Sequence, residues 1–201
     1  MKKPAITQQP VADIIANRWS SRAYNPNKPV TDEHVTALLE AARWAPSCYG
    51  DQPWRFVVCN KDKNPQAWQA AFDTLAESNQ TWAKHAPLLV LACANTLFRH
   101  NGKLNRWATY DTGAAAENMC LQATELRLVA HQMGGFSVEA ARKAFHVPEQ
   151  FELMAMIAIG HGDTPESLPD DLRERQLAPR QRQPLGELFF EGGWDTPFKP
   201  L

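Results

Sequence analysis

Two pairs of arginines stand near opposite ends of the chain. Arg18 and Arg22 flank Ser20 in NRWSSRAY, and Arg180 and Arg182 stand two apart in APRQRQPL. A guanidinium presents a fork of N–H donors that matches phosphate oxygens, so two of them with a hydroxyl between could grip a phosphate. In an extended chain residues i and i+2 point the same way, so Arg180 and Arg182 could converge on one anion. Taken alone, each pair also fits a solvated helix end or charged run, which is the commoner use of such residues. Three further pieces are candidates. APSCYGDQPWRF, with Pro46, Ser47, Cys48, Gly50 and Pro53, lies between a helix and a strand, where an ordinary loop anchored by Trp54 also accounts for it. Gly134-Gly135 fits a helix C-cap, and Asn79, near the end of a helix, is as well explained by a C-terminal cap as by a ligand role.

Several other chemistries lose their footing. The chain has no GxGxxG, no GxxxxGK[ST], no HExxH and no GxSxG, which argues against a dinucleotide fold, a P-loop NTPase, a zinc protease and a serine hydrolase. The six histidines show no ligand-like spacing, so no metal site is expected.

The elements that must position the candidates follow from periodicity. Val11–Trp19 reads as a short first helix. Thr31 reads as an N-cap, with Asp32 and Glu33 favoured in the first turn, and Val35, Leu38, Leu39 and Ala42 on one face of a helix ending near Ala45. Arg55–Cys59 reads as a strand, Gln66–Glu77 as an amphipathic helix and Leu88–Ala94 as a buried strand. Thr109–Ala130, apolar on more than one face, reads as one long buried helix closed by Gly134-Gly135. Val138–Phe145 is a short helix and Met154–Ile159 a third strand. From Gly160 onward prolines recur among Leu185, Leu188, Phe189, Phe190, Trp194 and Phe198. Such a tail is expected to wrap over another surface, a partner subunit for example, rather than fold on itself. The order of elements fits a three-layer α/β or α+β domain.

With 201 residues the prior is one domain with its own core. Hydrophobic residues at 44% and charged residues at 21% fit a soluble globular chain, and the net charge of -1 supplies no global field for nucleic acid or an anionic membrane. Cys48, Cys59, Cys93 and Cys120 form no CxxC pair, so reduced structural thiols are expected. The N-terminal MKKPAITQQPVADI has no apolar h-region, and the longest apolar run, Ala86–Ala94, is half a membrane span, so a cytoplasmic location is expected.

The order of the pieces is more specific than any one of them. RWSSR, then APSxxxxQPWRF, YDTGAAAENMCLQA, GGF, and RQRQPL before an EGGW…PF tail together resemble the FMN-dependent nitroreductase family, over about residues 11–198. The resemblance implies an α+β fold with a central, mostly antiparallel sheet flanked by helices. It implies a single domain over 1–201 whose arm, from about residue 163, extends onto the partner of a homodimer. It implies FMN as cofactor, NADH or NADPH as donor, and a nitroaromatic, quinone or similar electron-poor acceptor taking the donor's place in a ping-pong cycle. FMN carries the chemistry, so no catalytic side chain is expected.

Carried over by motif, Arg18, Trp19, Ser20 and Arg22 match the first flavin-binding segment, with Arg18 toward the phosphate and Arg22 toward the pyrimidine edge. Arg180 and Arg182 match the C-terminal phosphate-binding pair, and Asn79 matches an asparagine on the isoalloxazine. Gly134 and Gly135 match the segment whose backbone approaches the flavin. Pro46, Ser47 and Cys48 match a loop that the other subunit lays against the cofactor. Gly50 departs from the pattern, because an asparagine is usual there, and its absence could widen the pocket. Leu126–Leu128 and His131–Met133 stand where a glycine-rich stretch is common. Trp68, Trp82 and Trp107 could line an aromatic acceptor site or simply pack. Alternatives are a same-fold flavoenzyme with a dedicated non-nitro substrate and a flavin-storing or flavin-sensing protein without efficient turnover.

Overall fold

A computed structural model describes residues 1–200. Its core is a four-stranded sheet in the order β1-β2-β4-β3, in which every pairing is antiparallel. The strands are β1 (Trp54–Asn60), β2 (Leu88–Asn95), β3 (Leu128–Met133) and β4 (Phe151–His161). The helices are α1 (Asp13–Asn17), α2 (Asp32–Arg43), α3 (Pro65–Asp73), α4 (Glu77–Ala83), α5 (Ala108–Glu125), α6 (Val138–Phe145), α7 (Asp170–Leu177) and α8 (Leu185–Leu188).

Strand β2 is buried on both faces, and its alternation divides the core. Leu88, Val90 and Ala92 pack with Leu38 and Ala42 of α2 and Ala115, Met119 and Ala123 of α5. Leu89, Leu91 and Cys93 pack the other way, with Trp68 and Ala71 of α3, Trp82 of α4 and Ala141 of α6. This is the expected α+β arrangement, with helices on both faces of an antiparallel sheet. A bulge lies opposite Ala92/Cys93 in β2, where Ala92 faces Ala155 but Cys93 faces Leu153. The extra residue shifts the phase of β4, so Leu153 and Met156 share a face although they stand three positions apart.

Thr31 caps α2 as expected, its side chain accepting from the backbone N–H of His34. Four expectations are corrected. The long segment 109–130 is not one helix: α5 stops at Glu125, Arg127 takes φ 59°, and the chain returns as β3 along the sheet edge. Gly134-Gly135 therefore follows a strand instead of closing a helix. The 66–77 helix ends at Asp73 because Leu75 bridges to Phe136, and the chain restarts as α4. Beyond residue 160 the tail does fold locally. It forms α7 and α8 and a turn in which the N–H of Phe198 donates to the carbonyl of Phe189 and Phe190 stacks on Trp194 at 4.8 Å. Among the described residues no helix is long and apolar enough to cross a membrane.

Candidate functional site

Helix α1 ends as Arg18 adopts extended backbone, φ -66° and ψ 125°, and starts an irregular segment that runs to Tyr24. Irregular backbone near a core needs its polar groups met elsewhere, and here Gln176 of α7 meets them. Its amide oxygen accepts from the N–H of Arg22 at 3.1 Å and its Nε2 donates to Ser21 Oγ at 2.7 Å. The carbonyl of Ser21 is met by Nδ1 of His131 on β3, at 3.1 Å. A carbonyl only accepts, so the neutral imidazole carries its proton on Nδ1. Burial, then the nearby Arg22, hold the His131 pKa down to about 4.

The arginines converge on this segment. Arg18 Nε lies 3.3 Å from Glu117 Oε1 on α5, a half-buried carboxyl whose pKa burial raises while Arg18 opposes the rise. Arg180 Nη1 donates to the carbonyls of Lys3 at 2.8 Å and Ala16 at 2.7 Å. Burial lowers the Arg180 pKa, and Arg18 and Arg182 lower it further. Guanidinia from both ends of the chain thus repel one another across one small region, and Glu117 is the one carboxylate ion-paired into it among the described residues. Trp19 is partly buried and Ser20 exposed.

Three residues along β3 from His131, roughly 10 Å at strand spacing, comes Gly134-Gly135. The carbonyl of Gly135 accepts from the N–H of Ala76 at 3.0 Å and from Asn79 Nδ2 at 2.9 Å. Asn79 sits in the first turn of α4, not at a helix C-terminus, and its side chain holds the Gly-Gly loop. A Cβ on Gly135 would stand 2.8 Å from Asn79 Nδ2, whereas one on Gly134 would meet nothing within 4 Å. The backbone at 134 therefore faces open space.

Pro46, Ser47 and Cys48 belong to a separate region. Cys48 N–H donates to the buried Asp111 of α5 at 2.9 Å, and Ser47 Oγ accepts from the N–H of Gln52 at 3.1 Å. Tyr49, Gly50 and Gln52 all have positive φ, at 54°, 63° and 52°. The left-handed region suits glycine and is tolerated by asparagine, so the backbone at Gly50 is open to either residue. Nothing lies within 4 Å of its Cβ position, and Tyr49, Gly50, Asp51, Arg99 and His100 line a cleft of about 350 Å³. This loop precedes β1 whereas Gly134-Gly135 follows β3, at opposite edges of the sheet. Three strand spacings, roughly 14 Å, separate those edges, so Pro46, Ser47 and Cys48 lie apart from the Gly134-Gly135 loop within one protomer.

Trp68 and Trp82 are core residues at 3% and 1% exposure, while Trp107 is exposed. Of the residues singled out from sequence, Arg18 and Arg180 come together beside the segment that carries Arg22, Arg182 is exposed with Nη1 on the carbonyl of Gln181, and Asn79, Gly134 and Gly135 form a separate unit. Sequence reasoning missed Gln176, His131 and Glu117. A lone glutamine in a polar helix carries no signal, and LVAHQM has no alternation that would have placed His131 on a strand.

The chain matches the model of the nitroreductase family over residues 15–161. It is 32% identical over 148 residues to a 15.4 kDa protein of Mycolicibacterium smegmatis encoded in the ask 5′ region, covering 71% of this chain and 99% of that one. Over 82 residues, 41% of this chain and 38% of the relative, it is 33% identical to the major NAD(P)H-flavin oxidoreductase of Aliivibrio fischeri. Its backbone superimposes on a crystal structure of an oxidoreductase containing FMN with a TM-score of 0.88 and 35% identity, covering 95% of this chain and 96% of the other. A Desulfovibrio desulfuricans protein crystallised in complex with FMN gives 0.72 and 27% identity, with 94% and 99% covered. A family match over most of its length, on an antiparallel four-stranded sheet between helical layers, places this chain in the nitroreductase family.

Proposed function

We propose that this protein binds FMN and uses NADH or NADPH to reduce nitroaromatics, quinones or similarly electron-poor acceptors. The observation that carries the reading is the convergence of Arg180 from the C-terminal segment with Arg18 from the first, with Glu117 as the ion-paired carboxylate. Mutually repelling cations held by the fold gain stability when an anion enters, and a phosphate brings about -1.5 to -2 charges at pH 7. These residues fit a phosphomonoester. Arg180 spends Nη1 on two carbonyls, which leaves Nε and Nη2 to reach it.

Arg18, Arg180 and Arg182 would hold the FMN phosphate. Arg22, Trp19 and Ser20 would border the ring system, where a fixed cation favours added negative charge. Gly134 and Gly135 would offer backbone N–H groups without a Cβ in the way, and Asn79 would keep that loop in place. When bound, FMN supplies hydride and electron transfer; the side chains hold it, orient it and bias its electronics. Pro46, Ser47 and Cys48 would reach the site from a second protomer. The reading therefore includes a homodimer, with the exposed Leu188, Phe189, Trp194 and Phe198 of the arm covered by the partner. Donor and acceptor would use one place in turn.

The test is an absorbance spectrum of the purified protein, taken before and after anaerobic addition of NADH and of NADPH. A flavin spectrum that bleaches with a nucleotide and recovers on adding an acceptor is the expected result. Bound flavin that neither nucleotide reduces would replace turnover with storage or sensing. A colourless protein that takes up no added FMN would overturn the reading.

A further inference from the structure

The N-terminal segment lies outside the residues matched to the family model, which begin at 15, yet it is tied into the basic cluster. Arg180 donates to the carbonyl of Lys3, and Ala5 N–H donates to the same Ala16 carbonyl that Arg180 uses. Held in this way, Lys3 turns its ammonium inward. Nζ donates to the carbonyl of Gln176 at 2.7 Å and lies 4.9 Å from the centroid of the Trp19 ring. Gln176 is the residue whose side chain fixes Ser21 and Arg22. The first residues, the 18–22 segment and the α7–Arg180 segment thus meet at one point, and each contributes a cation to it. Burial lowers the Lys3 pKa, and Arg180 and Arg22 lower it further, which places the ammonium within Coulombic reach of both guanidinia.

A surface lysine would gain more by turning toward water, away from like charges. No carboxylate pairs with Lys3 among the described residues, and two of its three ammonium N–H groups remain after the bond to Gln176. We propose that Lys3 is a further anion-binding residue of this site, adding a charge from the N-terminus to the phosphate-binding arginines. The inference rests on the FMN reading above. It differs from a purely structural strap in one respect: an ammonium that acts on the phosphate distinguishes FMN from riboflavin, which has the same ring system and no phosphate.

The experiment compares full-length wild type, Lys3→Gln and Lys3→Arg, each stripped of flavin and titrated with FMN and with riboflavin by fluorescence quenching at low and at physiological salt. For Lys3→Gln the expected result is FMN affinity about three- to fivefold weaker, as befits one partly exposed ion pair. Its dependence on salt should be shallower, riboflavin affinity should be unchanged, and Lys3→Arg should restore FMN affinity. Unchanged FMN affinity in Lys3→Gln would overturn the inference and leave the flavin reading standing. Equal losses for FMN and riboflavin would also overturn it, by making Lys3 a strap. A wild-type protein that binds neither flavin would overturn the flavin reading itself, and this inference with it.

Discussion

Replacing Gly134 with alanine separates the needs of the fold from the needs of a ligand. Neither Gly134 nor Gly135 has a positive φ, so an L side chain is sterically admissible at both. At 134 the added methyl meets nothing within 4 Å. The fold loses nothing, and the unfolded chain loses conformational freedom, so Gly134→Ala should raise the stability of the flavin-free protein by about 0.4–1 kcal/mol. If a planar ring is to lie against that backbone, the same methyl occupies its space. Overpacking a close contact costs about 1–3 kcal/mol, a factor of roughly 5 to 150 in affinity. The variant should therefore melt slightly higher without flavin and bind FMN at least fivefold more weakly. Gly135→Ala behaves differently. Its methyl would stand 2.8 Å from Asn79 Nδ2, the movable end of a side chain. Displacing that end forfeits a hydrogen bond worth about 1 kcal/mol, which nearly cancels the entropic gain. Chemical denaturation of the flavin-free variants, paired with FMN titration, reads both quantities. Gly134→Ala with wild-type FMN affinity would refute the claim that ligand approaches the backbone there.

Three further outcomes follow from the same geometry. Glu117→Gln removes the carboxylate that competes for Arg18 and should tighten FMN binding about two- to fivefold, a partly exposed ion pair being worth up to ~1 kcal/mol; unchanged or weaker binding in a titration would count against phosphate at Arg18. Gln176→Ala leaves the Arg22 N–H without its partner and takes one of its hydrogen bonds from Ser21 Oγ, which keeps the Ala23 N–H at 3.3 Å, and should cost about 1–3 kcal/mol in urea unfolding, the cost of one orphaned polar group. His131 has its folded pKa lowered to about 4 against an unfolded value near 6.5, so its contribution is complete above pH 6.5. As pH falls toward 4 the unfolded chain takes up the proton first and stability is lost, by about 3 kcal/mol. Comparing unfolding free energies of wild type and His131→Gln across pH 4–7 isolates this term, and parallel curves would exclude it.

The fold was legible where one structure alone satisfied the pattern. Leu88–Ala94 could only be a buried strand, because a turn signal bounds it on each side and it is too short for a buried helix. The Thr31 cap followed from a hydroxyl placed before two carboxylates. The failures came where long-range pairing overrode local propensity. Nothing local ends a helix at Glu125, since no glycine or proline stands there, and the residues that follow serve helix or strand equally well. What decides is β4, whose long edge offers unmet backbone groups from Met156 to His161 to the chain at Leu128–Met133. Arg127 accepts φ 59° so that the chain can reverse and meet them. The break at Leu75 has the same origin, in a bridge to Phe136 sixty-one positions away.

The candidate site was legible in its charges and not in their supports. Arginines advertise themselves by type and spacing, and the motif order gathers them although more than 150 positions separate Arg22 from Arg180. The groups that hold them do not. Gln176 is a glutamine in a helix of mostly charged residues, and its value lies in reaching two polar groups of a segment 155 residues earlier. One is the backbone N–H of Arg22 and the other the buried hydroxyl of Ser21, both in irregular chain. An irregular segment that must present cations at a fixed place cannot satisfy itself, so its partners are supplied by whatever packs against it, here α7 and β3. Nothing in the spacing of either sequence stretch records that debt. The same logic makes Lys3 invisible until Arg180 is seen to hold its carbonyl. In this protein the arginines that would touch a phosphate are written in the sequence, and the groups that fix their positions, with Lys3 beside them, are set by the packing.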